Sequence, residues 1–202
     1  MTPTASRTDP ADFERRYRSE RDPWGYEQRA YEQAKYARTL DAIGPGPFGR
    51  ALELGCSIGV FTALLAPRCR ELVAVDGAPT ALAHARARLD RDGARDVRLV
   101  LGTLPEALPA GPFDLIVASE LLYYWSAELL TEALPRIEAA LAPGGLLVAV
   151  HWRGPLDDGP LDGDRVHALL RTATSLDHAD GRLTPDYRLD RFTRPRPSGQ
   201  DG

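Results

Sequence analysis

The chain has 202 residues, 43% of them hydrophobic, and carries 25 Lys and Arg against 29 Asp and Glu, a formal net charge of −4. This length and apolar content predict one domain with a substantial core. Basic residues do not outnumber acidic ones, which argues against nucleic acid or anionic membranes as partners and favours a small molecule. The two cysteines, Cys56 and Cys69, lack the paired spacing of zinc sites and disulfide scaffolds, so no metal site is predicted.

The N-terminal sequence has no apolar run that would suit a signal peptide or a membrane span, so a cytoplasmic location is expected. Residues 1–12 and 195–202 are rich in Pro, Gly, Ser and Thr and are predicted to be disordered tails. Residues 13–45 are predicted to form a helical segment, interrupted at Asp22 and Pro23 with Trp24 beside the turn. No pattern predicts an oligomeric state.

From Arg50 onward, short apolar runs alternate with longer helical ones. This alternation predicts crossover connections, a parallel sheet and therefore the α/β class. Beyond Gly163 a helix to Arg171 is followed by two strand candidates, which predict an antiparallel pair at a sheet edge. The predicted strands are 50–54, 71–76, 96–101, 113–119, 145–152, 174–179 and 186–192, and the intervening helices are 60–67, 78–92 and 128–141.

The segment RALELGCSIGVFT places a tight loop with only two glycines, Gly55 and Gly59, after the first predicted strand. A dinucleotide fingerprint needs glycines where Ser57 and Val60 stand. Glu53 is costly to bury unless it meets a hydrogen-bond donor, which suggests a ligand that carries donors. The ammonium of S-adenosylmethionine is such a donor, and a capped strand-to-helix turn is the alternative interpretation.

Asp76 ends the next predicted strand, 23 positions after Glu53 (76 − 53). An acidic residue about 20 positions beyond a glycine loop is placed to accept hydrogen bonds from ribose hydroxyls. Asp76 would alternatively cap the helix that starts at Ala78. Together with Glu53, it favours a nucleoside ligand.

The motifs ELGCSIG, VAVDG, FDLIVASELLYY and LAPGGLLVAVHW resemble those of class I S-adenosylmethionine-dependent methyltransferases. With DPWGYEQRAYEQAKY, HW and GDRVHALL, the resemblance extends from about Asp22 to Phe192 and narrows to the NodS-type N-methyltransferase family. That family is named for a nodulation enzyme that methylates an amino group on a chitooligosaccharide. The resemblance implies a Rossmann-like, doubly wound catalytic domain over residues 46–194, an N-terminal helical lid over 13–45, and S-adenosylmethionine as cofactor.

The resemblance also implies a cofactor site. Within it, Trp24, Tyr31 and Lys35 would form the lid, although Trp24 is equally suited to anchoring the N-terminal helices. Thr103 and Leu104 stand where many methyltransferases have an adenine-binding Asp, so backbone groups and apolar contacts are expected there. The implied cofactor-binding residues are Trp24, Tyr31, Lys35, Glu53, Gly55, Cys56, Ser57, Gly59, Asp76, Gly77, Thr103, Leu104, Ser119 and Glu120.

Polar side chains follow the fourth and fifth predicted strands. Ligands of open parallel sheets bind outside the carboxyl ends of the strands, so Glu120, Tyr123, Tyr124 and His151 are the predicted catalytic residues. His151 or Glu120 would act as the base that neutralises an amine, and the tyrosines would orient it. Arg153 would bind an acidic group or be solvated.

The predicted function is N-methylation of an amino sugar or a related small amine. A small-molecule O-methyltransferase is an alternative, since tyrosines and a histidine suit a hydroxyl acceptor equally well. A catalytically inactive nucleotide-binding regulatory protein is another. An NAD-linked oxidoreductase is disfavoured by Glu53 and by the missing middle glycine.

Overall fold

The computed structural model describes residues 6–197. Of the predicted tails, residues 1–5 and 198–202 lie outside the described residues. The chain divides into two compact units, one formed by Thr8–Leu108 and the other by residue 109 onward together with Ser6 and Arg7.

The first unit contains three parallel strands in the order β3-β2-β1. The last four residues of β1 and residues 72–75 of β2 are buried. Apolar runs of this kind are expected of parallel strands, because both faces of the sheet are covered. The elements are α1 (Pro10–Ser19), α2 (Ala30–Ile43), β1 (Phe48–Leu54), α3 (Val60–Leu65), a 3₁₀ turn (Ala66–Arg68), β2 (Cys69–Asp76), α4 (Pro79–Arg91) and β3 (Val97–Leu101).

Helix α1 begins inside the range 1–12 for which a tail is predicted. Asp9 caps it by accepting a hydrogen bond from the Ala11 amide at 2.9 Å, and Pro10 occupies the first helical position. Both features stabilise a helix start. The prediction of a tail is therefore wrong for residues 10–12, which form the start of α1.

The second unit contains four strands in the order β4-β5-β7-β6. Strands β4 and β5 are parallel, and β7 pairs antiparallel with both β5 and β6. The predicted antiparallel C-terminal pair is thus confirmed, with β6 at the edge and exposed along its whole length. The elements are β4 (Phe113–Ser119), a 3₁₀ turn (Leu122–Tyr124), α5 (Ala127–Ala140), β5 (Leu141–Trp152), α6 (Gly163–Thr172), β6 (Asp177–Leu183) and β7 (Tyr187–Thr193).

Candidate functional site

The glycine loop joins β1 to α3 in the first unit. Gly55 and Gly59 have φ of +77° and +75°, and a Cβ on Gly59 would lie 2.9 Å from the Cβ of Ala85. Ser57 also has a left-handed backbone, with φ of +52°, which is uncommon for a residue with a side chain. The loop therefore depends on glycine at two positions and on outside contacts at Ser57.

Asp76 supplies one of those contacts. Its Oδ2 accepts a hydrogen bond from the Ser57 amide at 2.8 Å, and its Oδ1 accepts one from the Ala78 amide at 2.9 Å. Burial raises the pKa of Asp76 above its ordinary value, against the effect of these bonds. Each carboxylate oxygen has two lone pairs, so an oxygen that ties the loop can still accept from a ribose hydroxyl.

Glu53 lies near the end of β1 and is 3% exposed. Its Oε2 has no hydrogen-bond partner among the described residues, and neither has the buried hydroxyl of Thr62. Burial raises the pKa of Glu53 to about 8, the Thr62 side chain opposes this rise, and the nearby charge of Asp76 adds to it. A buried carboxylate oxygen without a hydrogen-bond donor fits a ligand that brings a cation to it.

Cys56 contributes to the loop through its backbone. Its amide donates to the Val75 carbonyl at 3.0 Å, and its side chain packs in a buried cluster with Ala74 and Leu82. Burial raises the pKa of the thiol well above its ordinary value. The Cys56 side chain is therefore a core residue that is kept as a neutral thiol.

Tyr17 contacts the glycine loop, which the sequence did not predict. Its hydroxyl lies 2.6 Å from the Ser57 hydroxyl, so α1 contacts the glycine loop directly. Glu14, one turn earlier on α1, accepts bonds from the amide and the hydroxyl of Thr80 at the start of α4. No spacing rule pairs positions 17 and 57, and the only sequence signal is an aromatic side chain on a helix already predicted to cover the site.

Trp24 packs among the aromatic side chains of this N-terminal region. Its ring lies 5.4 Å from that of Tyr17 and 5.8 Å from that of Tyr26, and the Arg16 guanidinium lies over it. This packing supports the anchoring interpretation of Trp24, because the ring braces the helix that carries Tyr17.

The remaining predicted lid residues lie together on α2. The buried Lys35 ammonium is 2.9 Å from the Glu32 carboxylate and lies over the Tyr31 ring. Its charge is therefore already matched within the helix.

Gly77, Thr103 and Leu104 follow the ends of β2 and β3. The Gly102 amide donates to the Asp76 carbonyl at 3.0 Å, which joins these two strand ends. Leu104 is buried. A Cβ on Gly77 would make only ordinary contacts, the nearest with the Gly102 carbonyl at 3.8 Å, so no close approach of the chain requires this glycine.

In the second unit, Ser119 ends β4 and Glu120 follows it with a left-handed backbone, φ of +54°. Oε2 of Glu120 accepts from the Tyr123 hydroxyl at 2.5 Å and from the Trp152 amide at 3.0 Å. The ring of Tyr124 lies 4.7 Å from that of Tyr123. The structure thus brings Glu120 and both predicted tyrosines together.

His151 lies in the same unit but is fully buried. Its Nε2 accepts from the Leu122 amide at 3.2 Å, and its Nδ1 lies 3.1 Å from Nε2 of His167. Both ring nitrogens are therefore engaged, and no lone pair is left to take a proton from an acceptor. The prediction of His151 as the general base does not fit this geometry, because its strand is covered and the backbone amide uses the basic nitrogen.

Two further residues of this cluster were not predicted as site residues. Nδ1 of His167 lies 2.7 Å from Oδ2 of Asp190, and both side chains are buried. His178 is partly exposed and contacts the other oxygen of Asp190. Arg153 forms a hydrogen-bonded ion pair with Asp164, so its charge is matched within the chain.

Among residues 6–197, no group of three or more His, Cys, Asp and Glu side chains is arranged to hold a metal ion. Within the same described part of the chain, no helix has the length and apolar character needed to span a bilayer.

The sequence profile of the family described as Nodulation protein S (NodS) matches residues 6–154. A Nodulation protein S from Sinorhizobium fredii is 33% identical over 129 residues, which are 63% of this chain and 59% of that relative. One from Rhizobium tropici is 35% identical over 130 residues, 63% of this chain and 53% of that relative. The chain therefore spans a little over half the length of these curated relatives.

Among solved structures, the N-methyltransferase NodS from Bradyrhizobium japonicum in complex with S-adenosyl-L-homocysteine superposes with a TM-score of 0.79. The two are 26% identical, and the match covers 93% of this chain and 99% of the other. This match confirms the predicted Rossmann-like, doubly wound α/β fold.

Proposed function

Because the chain belongs to the NodS family, we propose that it is an S-adenosylmethionine-dependent methyltransferase that methylates the amino group of an amino sugar or a related small amine. The observation that carries the proposal is the unpartnered, buried carboxylate oxygen of Glu53 beside the glycine loop. A NodS structure that holds S-adenosyl-L-homocysteine, the demethylated form of this donor, supports the same cofactor.

The residues around the loop fit this cofactor. Glu53 would accept the ammonium of the methionyl end, Ser57 and the loop backbone would line that end, and Asp76 would accept from the ribose. When bound, S-adenosylmethionine supplies an electrophilic methyl group on a sulfonium. The chain would contribute by orienting donor and acceptor, since near-attack geometry accounts for much of the rate in such displacements.

The acceptor amine must lose a proton before it can attack. An aliphatic amine of pKa about 10, like that of lysine, is mostly charged at neutral pH. Glu120 is the proposed proton acceptor, since one of its oxygens is fixed by Tyr123 and Trp152 and its side chain is only partly buried. Tyr123 would hold the nitrogen through its hydroxyl oxygen.

We expect Glu120→Gln to lower kcat by roughly 100-fold, the range typical of a lost general base, while cofactor affinity stays close to that of the wild type. The amide keeps the size of the side chain and an oxygen for Tyr123 but takes no proton. Steady-state kinetics and calorimetric titration measure the two effects. Glu128→Gln, an exposed change on α5, is the matched control, and an unaltered kcat in Glu120→Gln would remove Glu120 from the mechanism.

We expect Tyr17→Phe to weaken S-adenosylmethionine binding by about 1 kcal/mol, the typical net contribution of one hydrogen bond. The change removes only the hydroxyl that contacts Ser57. A double-mutant cycle with Ser57→Ala, read by calorimetry, isolates this interaction. Fully additive losses in the double variant would mean that the two hydroxyls do not cooperate in binding.

The proposed function is tested by incubating the chain with S-adenosylmethionine and a panel of amines, amino sugars and their hydroxyl analogues. The expected product is an amine that has gained the mass of one methyl group. Cofactor binding without transfer to any member of the panel would favour an inactive nucleotide-binding protein, and transfer only to hydroxyls would favour O-methylation.

A further inference from the structure

We propose that His167 and Asp190 are positioning residues that fix the 119–124 segment by setting the tautomer of His151. This inference rests on the proposed function, in which the 119–124 segment presents Glu120 and Tyr123 to the acceptor. Neither residue is expected to touch the substrate. Each acts through the next member of a buried hydrogen-bonded chain, from Asp190 through His167 and His151 to the backbone of Leu122.

The hydrogen bonds of this chain allow only one arrangement of ring protons. The Leu122 amide can only donate, so Nε2 of His151 must be the acceptor. A neutral imidazole then carries its hydrogen on Nδ1, which donates to Nε2 of His167. His167 in turn carries its hydrogen on Nδ1 and donates to Asp190.

Burial and charge maintain this arrangement. His151 and His167 are 0% exposed and Asp190 is 1% exposed. Burial lowers the pKa of His167 below its ordinary value although Asp190 opposes the shift, so the ring is neutral at neutral pH. Burial alone would raise the pKa of Asp190, but bonds from His167 and Arg171 hold it well below its usual range. The hydrogen-bonded series thus ends on the carboxylate of Asp190, which is ionised at neutral pH.

The close packing of α6 on β5 brings the two histidines within reach. Gly163 starts α6, and a Cβ there would collide with the backbone carbonyl of Trp152. His167 lies one turn further along the same helix, and its ring centroid is 5.1 Å from that of His151. A residue larger than glycine at 163 would push His167 away from its partner.

The 119–124 segment is held by successive residues of β5 and by the loop that precedes α6. The Glu120 amide donates to the Val150 carbonyl at 2.9 Å, and the next residue of β5, His151, accepts from Leu122. The Leu161 amide donates to the Tyr123 carbonyl at 3.1 Å. In the other His151 tautomer, an Nε2 hydrogen would face the Leu122 amide hydrogen, and the support at the centre of the segment would be lost.

The tautomer can be tested directly in the full chain without any substitution. Long-range proton–nitrogen correlation spectra of the histidine rings are expected to show His151 protonated on Nδ1 and bare on Nε2. The Leu122 amide is expected to exchange slowly with solvent. A His151 ring that carries its hydrogen on Nε2, or on both nitrogens, at neutral pH would overturn the inference.

The variant His167→Phe keeps an aromatic ring but removes the acceptor for His151. We expect kcat with an oligomer of glucosamine to fall by roughly 10- to 100-fold, as misplaced catalytic groups commonly cause, with cofactor affinity unchanged within about twofold. Leu122 amide exchange should accelerate as the segment opens locally. His167→Gln, whose side-chain oxygen can accept from His151, should recover most of the lost kcat.

His178→Ala is the matched control. His178 contacts the same carboxylate, but it is not a member of the hydrogen-bonded series that links Asp190 to Leu122. It is expected to leave kcat unchanged. A His167→Phe variant with wild-type kcat, or a glutamine variant no better than phenylalanine, would contradict the inference. If the wild type methylates no amine, the proposed function fails, while the tautomer and the exchange rate still decide whether this chain positions the segment.

Discussion

Replacing Glu53 by glutamine is expected to weaken S-adenosylmethionine binding by roughly 100-fold, because removing the charge of one partner in a buried charge pair commonly costs about 2–5 kcal/mol. The glutamine has the same shape, and the wild-type carboxylate has an oxygen with no partner among the described residues. Folding of the free protein should therefore not suffer. Calorimetric titration and thermal unfolding measure the two effects separately.

The same carboxyl predicts a pH dependence. Its pKa is raised to about 8 in the folded chain, so the free protein holds a proton there at pH 7 that the ammonium of the ligand must displace. Affinity should rise as pH increases toward 8, with proton release on binding. The pKa of Glu53 is higher in the folded than in the unfolded chain, so its protonated form contributes to the free energy of unfolding at low pH. This contribution is lost as pH rises toward 8, by at most about 1.4 kcal/mol per pH unit.

The Glu53→Gln variant should lose both pH effects and be at least as stable as the wild type at pH 7. Glu71→Gln is the matched control, since Glu71 lies on the neighbouring strand β2 and is partly exposed beside Arg50. Wild-type affinity in the Glu53 variant would show that this carboxylate does not receive the cofactor.

Asp76→Ala is expected to impair both binding and folding. The change leaves the amides of Ser57 and Ala78 without their acceptor, at a cost of about 1–3 kcal/mol for each donor that stays buried. It also removes the proposed ribose contact and the hydrogen bond that holds Ser57 in its left-handed backbone conformation. We expect a lower unfolding temperature together with a loss of cofactor affinity of at least about 100-fold, since more than one hydrogen bond is affected.

The Glu53 variant provides a contrast, because it should lose cofactor affinity and keep its stability. Denaturant unfolding and calorimetry on the same preparations separate the two residues. Asp90→Ala, an exposed change on α4, serves as the control. A destabilised Asp76→Ala variant that binds the cofactor normally would restrict Asp76 to a structural role.

The fold was largely predictable because the central strands are continuous apolar runs. The predicted strand 113–119 coincides with β4. The predicted strand 145–152 ends where β5 ends but begins four residues after it. Strand β6 was placed three residues too early, since DHADGRL is exposed throughout and has neither apolar alternation nor an apolar run. The position of β7 between β5 and β6 depends on pairing between distant segments, which local sequence does not encode.

The arrangement around the glycine loop was predictable from chain spacing, since Glu53 and Asp76 lie at the ends of two consecutive strands. The contacts that organise it were not. Tyr17 meets Ser57 across 40 positions, and His151 meets His167 only because α6 packs closely on β5. His151 was predicted as a base because a histidine ends an apolar strand, but sequence carries no information on which ring nitrogen a backbone amide occupies.

The most direct test of the account is to locate the transferred methyl group. The chain would be incubated with S-adenosylmethionine bearing a deuterated methyl and with a short oligomer of glucosamine, and the product examined by mass spectrometry and NMR. The proposed function predicts the label on the amino nitrogen, with little transfer by Glu53→Gln at limiting cofactor. A label on a hydroxyl oxygen, or no transfer by a chain that binds the cofactor, would contradict it.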